Sequence, residues 1–149
     1  MALPPQKFRE IVFQILFSAA FANEKLEDTA LMLMGELKVT KRSVLDACEM
    51  AKQVLSHLSE IDEKIRNTSK EYQFERITSA EKCVLRLSFF ELFHDKSLPP
   101  QIVFAEAIRL TRKFGTPESA DFVNAILDAA YKNLKSEPHE LELAEQSTP

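Results

Sequence analysis

The scarcity of glycine is the feature that most limits what this chain can fold into. Gly35 and Gly115 are the only glycines among 149 residues, about 1.3% against an average usage near 7%. Sandwiches and barrels need glycine at turns and bulges, and nucleotide-binding α/β folds need it where the backbone approaches phosphate. An all-helical protein needs glycine mainly at helix C-termini. The sequence therefore predicts an all-α fold.

The charges are unevenly placed along the chain. Lys and Arg total 19 and Asp and Glu total 23, so the formal net charge is −4. Residues 136–149 contain four glutamates and no Lys or Arg, which leaves 19 positive and 19 negative side chains in the remainder. A neutral body gives no support to non-specific polyanion binding. We predict one helical domain over residues 1–135 and a disordered acidic tail over 136–149.

The first half of the chain carries apolar stripes at helical spacing. Pro5 can occupy a first helical turn because an early backbone N–H has no partner there, and apolar residues then recur every three or four positions to Ala19. A shorter stripe covers residues 28–37. Thr40 is predicted to cap a long helix that continues to about Ser69, where a polar run ends it.

The second half has clearer helix ends. Thr78 and Glu81 have the spacing of a capping box, which predicts a helix over residues 79–94. Gly115 stands where a left-handed residue would stop the following helix, and Thr116 fits the N-cap of a last helix that ends near residue 134. The whole pattern predicts a compact bundle of six to seven helices in two halves, divided near residue 70.

The residue types that carry catalysis or bind metals are isolated from one another in this sequence. Cys48 and Cys83 lack metal-site spacing and fit reduced core cysteines, and His57, His94 and His139 have no ligand four residues further on and no cysteine nearby. No hydrolase, phosphate-loop or calcium-loop pattern occurs in the chain. The sequence predicts no enzyme, no metal site and no cofactor. With neither a membrane span nor a signal peptide, it also predicts a cytoplasmic protein.

A basic helix end followed by a new helix is the best candidate for ligand binding. Arg109 and Lys113 lie four residues apart, and the next helix N-terminus offers backbone N–H groups to a phosphate. Phe122 and Asn124 follow within the next helix and could stack and hydrogen-bond a base. The competing interpretation is that these cations complement a helix dipole and that the aromatic ring belongs to the core.

Arg86 is the one charged residue in the middle of an otherwise apolar helix. With Lys82 four residues before it and Arg76 just ahead of the helix, it could mark a cationic strip. It could equally be an arginine whose stem lies along the core and whose guanidinium forms a salt bridge. The sequence leaves both interpretations open.

Three motifs resemble the NusB family of bacterial transcription antitermination factors. Residues 81–92, E-K-C-V-L-R-L-S-F-F-E-L, are similar to the family helix E-x-x-x-L-R-x-x-x-Y/F-E-L. A-E-A-I at 105–108, K-F-G at 113–115, Ser119 and F-V-N-A-I-L-D at 122–128 resemble its N-E-A-x-x-L-A-K-x-F-G…S…F-V-N-G-V-L-D signature. Arg9, Glu10, Gln14, Leu16 and Phe17 resemble its first helix.

The resemblance implies two three-helix subdomains, no catalytic activity, and either a monomer or a homodimer. It implies binding of boxA single-stranded RNA in ribosomal RNA leaders together with the ribosomal protein NusE. The pair then acts on elongating RNA polymerase with other Nus factors. It places Glu81 and Lys82 towards the protein partner. The implied RNA-binding residues are Lys7, Arg9, Gln14, Phe17, Arg86, Phe114, Gly115, Ser119, Phe122 and Asn124.

The sequence also departs from the family pattern. The usual arginine-rich opening is reduced to Lys7 and Arg9, which predicts a weaker and less salt-dependent RNA affinity. Tyr72 stands where many members have tryptophan, and Ala125 replaces a glycine of the signature. Two alternatives stay open: a protein–protein adaptor that has lost RNA binding, and a stand-alone RNA-binding domain of the type fused to ribosomal RNA methyltransferases.

Overall fold

The structure is a computed structural model that describes residues 3–22, 25–69 and 71–147. Seven α helices account for most of these residues. The side chains of residues 21–22 and 136–147 lie outside that description. No strand occurs in the described ranges, and the predicted all-α class is confirmed. The elements are α1 (Pro5–Ala22), α2 (Leu26–Leu37), α3 (Lys41–Ser56), α4 (Leu58–Thr68), a 3-10 turn (Phe74–Arg76), α5 (Ser79–His94), α6 (Pro100–Phe114) and α7 (Pro117–Ser147).

Two groups of helices pack around the central α5. Helices α1, α2 and α3 contact one another, while α4, α6 and α7 each contact α5. Helix α5 also touches α1 and α3, and its Leu85, Leu87 and Phe89 are fully buried. A helix that is apolar on several sides is expected to be buried in this way. Because α4 packs on α5 and α7, it belongs with the later helices, and the division near residue 70 stays a prediction.

The long helix predicted from Thr40 to about Ser69 is broken at His57. Its backbone leaves the helical region at φ −106° and ψ 15°, so α3 and α4 are separate helices. The Ser56 hydroxyl and the His57 ring both donate to the Gln53 carbonyl, at 2.8 and 2.9 Å. Such side-chain bonds compete with the helical ladder. The apolar period continues across the break because both helices face the core.

The helix start predicted at Thr78 is confirmed. The Thr78 hydroxyl accepts from the Glu81 backbone N–H at 3.2 Å, and the Glu81 carboxylate accepts from the Thr78 N–H at 3.0 Å. This reciprocal pair satisfies two backbone groups that would otherwise lack partners. It fixes the direction in which α5 leaves the preceding connector.

Gly115 ends α6 by a different means from the one predicted. Its φ of −122° is not left-handed, so that part of the prediction is wrong. Glycine is needed because a Cβ atom here would lie 2.9 Å from the Thr111 carbonyl oxygen. The Thr116 N-cap is confirmed, since its hydroxyl accepts from the Ser119 N–H at 3.1 Å. Helix α7 continues beyond the predicted end near residue 134 to Ser147, and the disorder of 136–149 stays a prediction.

None of the described helices combines the length and apolar character needed to cross a bilayer.

Candidate nucleic-acid interface

An open cleft of about 310 Å³ lies between the connector that precedes α5 and the start of α7. We call it the aromatic cleft. Two predicted RNA-binding residues, Ser119 and Phe122, lie on its α7 side, and Glu81 also borders it. The full lining is Tyr72, Gln73, Arg76, Ile77, Glu81, Glu118, Ser119 and Phe122.

The cleft offers the groups that hold an unpaired base. The Tyr72 and Phe122 rings meet edge to face with centres 5.0 Å apart, and Tyr72 is 58% exposed. Gln73 and Arg76 are exposed beside them, and Arg76 forms no ion pair within the described ranges. An exposed ring stacks on a base, an amide can hydrogen-bond its edge, and a guanidinium binds phosphate. The cleft can therefore accept a single-stranded nucleotide.

Phe17 and Phe114 lie elsewhere, at the two ends of a stack of three rings. Phe13 is buried between them, with its ring centre 5.7 Å from Phe17 and 4.4 Å from Phe114. Both outer rings are half-buried and pack on the core. This stack joins α1 to the end of α6, and it encloses the faces of Phe17 and Phe114 that are turned towards Phe13.

Arg9, predicted on the RNA face, is held inside the protein. Its side chain is only 9% exposed, and its Nε donates to Glu91 Oε2 at 2.9 Å. A second nitrogen lies 3.5 Å from Glu106 Oε1. Burial raises the pKa of the Glu91 carboxyl, and the Arg9 hydrogen bond partly opposes that rise. The geometry favours a role for Arg9 in joining α1 to α5 and α6.

The basic junction at the end of α6 is largely neutralised. Arg109 donates to Glu106 Oε2 at 2.6 Å and to the Gln6 carbonyl at 3.0 Å. Lys113 pairs with Glu10, whose carboxylate also lies 3.7 Å from Arg109. These contacts tie α6 to α1, and they leave little free positive charge at the junction.

Arg86 also points to a carboxylate of its own fold. Its Nε and one terminal nitrogen donate to the two oxygens of Asp62 at 2.9 and 3.0 Å. The two side chains are 16% and 12% exposed. This fork geometry, with Asp62 on α4 and Arg86 on α5, favours the salt-bridge interpretation over the cationic strip.

The α7 N-terminus offers few donors to a phosphate. Pro117 has no backbone N–H, and the Ser119 N–H is already bonded to Thr116. The Ala120 N–H donates to the Thr116 carbonyl at 3.2 Å. The exposed Glu118 side chain adds a negative charge in the same turn. Only the Glu118 N–H is left, so the helix end is a weak anion site.

The remaining predicted residues have simple surroundings. Asn124 is exposed, and Lys7 and Gln14 are half-buried, and none of the three side chains forms a hydrogen bond or ion pair in the described part of the chain. Of the two residues predicted to face the protein partner, Glu81 serves in the capping box. Lys82 places its amine 4.5 Å from the centre of the buried Phe74 ring.

Two histidines predicted to be isolated are neighbours in the structure. The rings of His57 and His94 lie 4.3 Å apart, because the α3–α4 break brings His57 beside the end of α5. Gln73 was likewise not predicted as a site residue. Tyr72 and Arg76 lie in the polar connector that precedes the Thr78 capping box. An exposed aromatic residue in such a connector is the sequence pattern that could have identified the cleft.

A family model supports the resemblance found in the sequence. The model of the NusB family matches residues 6–132. A transcription antitermination protein NusB of Chlamydia pneumoniae is 37% identical over 125 residues, covering 84% of this chain and 78% of that protein. The corresponding protein of Wolinella succinogenes is 34% identical, covering 85% of this chain and 93% of its own length.

Solved structures with the same fold include two that bear on function. A T. maritima NusB structure superposes with a TM-score of 0.78 at 32% identity, covering 89% of this chain and 93% of that one. A structure of antitermination factors NusB and NusE in complex with double-stranded RNA gives a TM-score of 0.76 at 26% identity. It covers 86% of this chain and 96% of that one.

Proposed function

Because the chain belongs to the NusB family, we propose that it is a transcription antitermination factor that binds RNA together with NusE. The family consists of such factors, and the chain is not an enzyme. We propose boxA of ribosomal RNA leaders as the RNA. We further propose that the complex acts in the cytoplasm on elongating RNA polymerase, with other Nus factors and without a membrane.

The aromatic cleft is the observation that carries the RNA-binding part of this proposal. The exposed Tyr72 ring would stack on one unpaired base, supported edge to face by Phe122, while Gln73 hydrogen-bonds the edge of the base. Arg76 would bind an adjacent phosphate. This arrangement favours a single strand because bases paired within a duplex do not present a free face.

The charge distribution supports a complex in which NusE contributes much of the affinity. Arg9, Arg86, Arg109 and Lys113 are engaged by carboxylates of the fold. Of the cations among the predicted RNA-binding residues, in the cleft and at the junction, Lys7, Arg76 and Arg112 remain without an ion pair in the described chain. For a single strand, the logarithm of the binding constant falls with the logarithm of the salt concentration, with a slope of about −0.7 per neutralised phosphate. Three contacts therefore limit the log–log salt slope to about −2.

The protein partner and the oligomeric state are the less constrained parts of the proposal. We place NusE near the first turns of α5, where Lys82 is half-buried and Glu81 is held by the cap. Monomer and homodimer both fit this placement. Analytical ultracentrifugation of the chain alone and with NusE decides between them.

RNA binding across a salt series, with and without NusE, tests the proposal. Single-stranded boxA RNA should bind the chain alone with a salt slope no steeper than about −2, and it should bind more tightly when NusE is present. A double-stranded form should bind less well to the chain alone. Tyr72→Ala and Arg76→Ala should each weaken binding by about tenfold. Ile102→Ala and Arg42→Ala change an exposed apolar residue and an exposed arginine outside the cleft, and both should bind normally.

Two results would change the conclusion. Unaltered binding by Tyr72→Ala and Arg76→Ala would move RNA away from the aromatic cleft. Binding of NusE with no RNA affinity in any condition would favour the protein–protein adaptor.

A further inference from the structure

Two side chains from the α3–α4 break meet a third at the end of α5, away from the aromatic cleft. His57 lies at the α3–α4 break, Glu60 lies in the first turn of α4, and His94 is the last residue of α5. One ligand atom of each lies within 4.8 Å of the other two. Glu81 and His94 stand at opposite ends of α5, about 20 Å apart at 1.5 Å per residue.

We propose that His57, Glu60 and His94 form a binding site for a divalent transition-metal ion of the Zn²⁺ type. Two imidazoles and one carboxylate are a donor set that Zn²⁺ uses when a fourth position stays open to water. Mg²⁺ and Ca²⁺ prefer oxygen ligands throughout, so this donor set selects against them.

The His57 ring is held with a ligand nitrogen available. Its Nδ1 lies 2.9 Å from the Gln53 backbone carbonyl, and a carbonyl can only accept. The Nδ1 therefore carries the hydrogen, and in the neutral ring the Nε2 keeps its lone pair. Metal-bound histidines are commonly oriented by this kind of bond to a backbone carbonyl.

The spacing of the other two ligands matches a bound ion. His94 Nε2 lies 3.2 Å from Glu60 Oε1, and ligands at 2.0–2.1 Å in a tetrahedron stand roughly 3.3 Å apart. Glu60 is about half exposed and His94 is about one-quarter exposed, so both can rotate to close the site. Phe90 packs against both imidazoles and forms an apolar side of the site.

A bound ion would join the α3–α4 corner to the end of α5. His57 and Glu60 belong to the corner and His94 to the central helix, so the ion would bridge two elements that pack side by side. An ion that binds only the folded chain stabilises it by mass action. The site is thus distinct from the proposed RNA and NusE surfaces, and either proposal can fail alone.

Calorimetric titration of tag-free, chelator-treated protein with Zn²⁺ tests the site. Wild type should bind one ion, and Zn²⁺ at 100 times Kd should shift the unfolding equilibrium constant about 100-fold. His94→Gln and Glu60→Gln remove exposed ligands and should each weaken binding at least tenfold. His139→Ala changes the third histidine, outside the cluster, and should bind as wild type does.

The visible absorption of bound Co²⁺ provides a second measurement, and a change in protein structure alone would not produce this absorption. Co²⁺ should give the intense visible absorption of a four-coordinate site in wild type, and this should vanish in His94→Gln. The proposal is overturned if wild type binds no ion stoichiometrically. It is also overturned if His94→Gln and Glu60→Gln bind as wild type does, or if His139→Ala is the variant that loses binding.

Discussion

Replacing Arg86 with alanine distinguishes a structural arginine from an RNA-binding one. The change removes two charge-assisted hydrogen bonds and leaves Asp62, 12% exposed, without its partner. Removing one member of a buried pair costs about 3–5 kcal/mol because the remaining charge is uncompensated. The residual exposure of this pair places Arg86→Ala at the lower end, about 3 kcal/mol. For a domain of this size, that lowers the melting temperature by roughly 6–12 °C.

Urea and thermal unfolding followed by circular dichroism measure this loss. A double-mutant cycle with Asp62→Ala isolates the interaction, and the double variant should lose less stability than the sum of the two single variants. Arg86→Lys keeps the charge without the fork and should lie between Arg86→Ala and wild type. Arg76→Ala is the matched control, because its exposed side chain should change stability by no more than about 0.5 kcal/mol.

RNA binding by the folded Arg86→Ala variant completes the test. At a temperature where the variant is fully folded, we expect its affinity to be within about twofold of wild type, a difference of about 0.4 kcal/mol. Wild-type stability together with a tenfold loss of RNA affinity would refute the reasoning. That result would mean that the Arg86 guanidinium leaves Asp62 to contact RNA.

Further substitutions test other parts of the structure. Gly115→Ala should destabilise the fold by about 1–3 kcal/mol because the new Cβ atom meets the Thr111 carbonyl oxygen. Gly35→Ala, in an open helical position, should stabilise the fold by up to about 1 kcal/mol. Urea unfolding measures both changes. Burial raises the pKa of Glu91, so stability falls as pH rises through that raised pKa, and Glu91→Gln should flatten this pH dependence in urea midpoints. Burial also raises the pKa of Cys83 to about 11, so a maleimide should label it only in unfolded protein.

The helix order could be predicted from the sequence because its determinants are local. The capping box at Thr78 and the cap at Thr116 depend on residues three positions apart, and apolar spacing identifies a buried face wherever the helix lies. The break at His57 could not be predicted in this way. Both α3 and α4 face the core, so the apolar period continues through a residue whose backbone is not helical.

The roles of individual cations could not be predicted, because each depends on a distant carboxylate. Arg9 and Glu91 are 82 positions apart, and Arg86 and Asp62 are 24 apart. A sequence pattern shows that a cation is present but not whether another helix brings a carboxylate to it. The same limit applies to His57, whose neighbour His94 is brought to it by packing.

The ion pairs therefore bear on how an acidic chain can bind RNA. A cation already paired inside the fold cannot release counterions from a phosphate, so its contribution to RNA affinity is small. What remains available is the aromatic cleft, with Tyr72, Phe122 and Arg76. Stacking discriminates unpaired from paired bases but holds a strand less strongly than many phosphate contacts do. A protein built in this way is expected to gain affinity from a partner that supplies phosphate contacts, and this expectation follows from the paired cations.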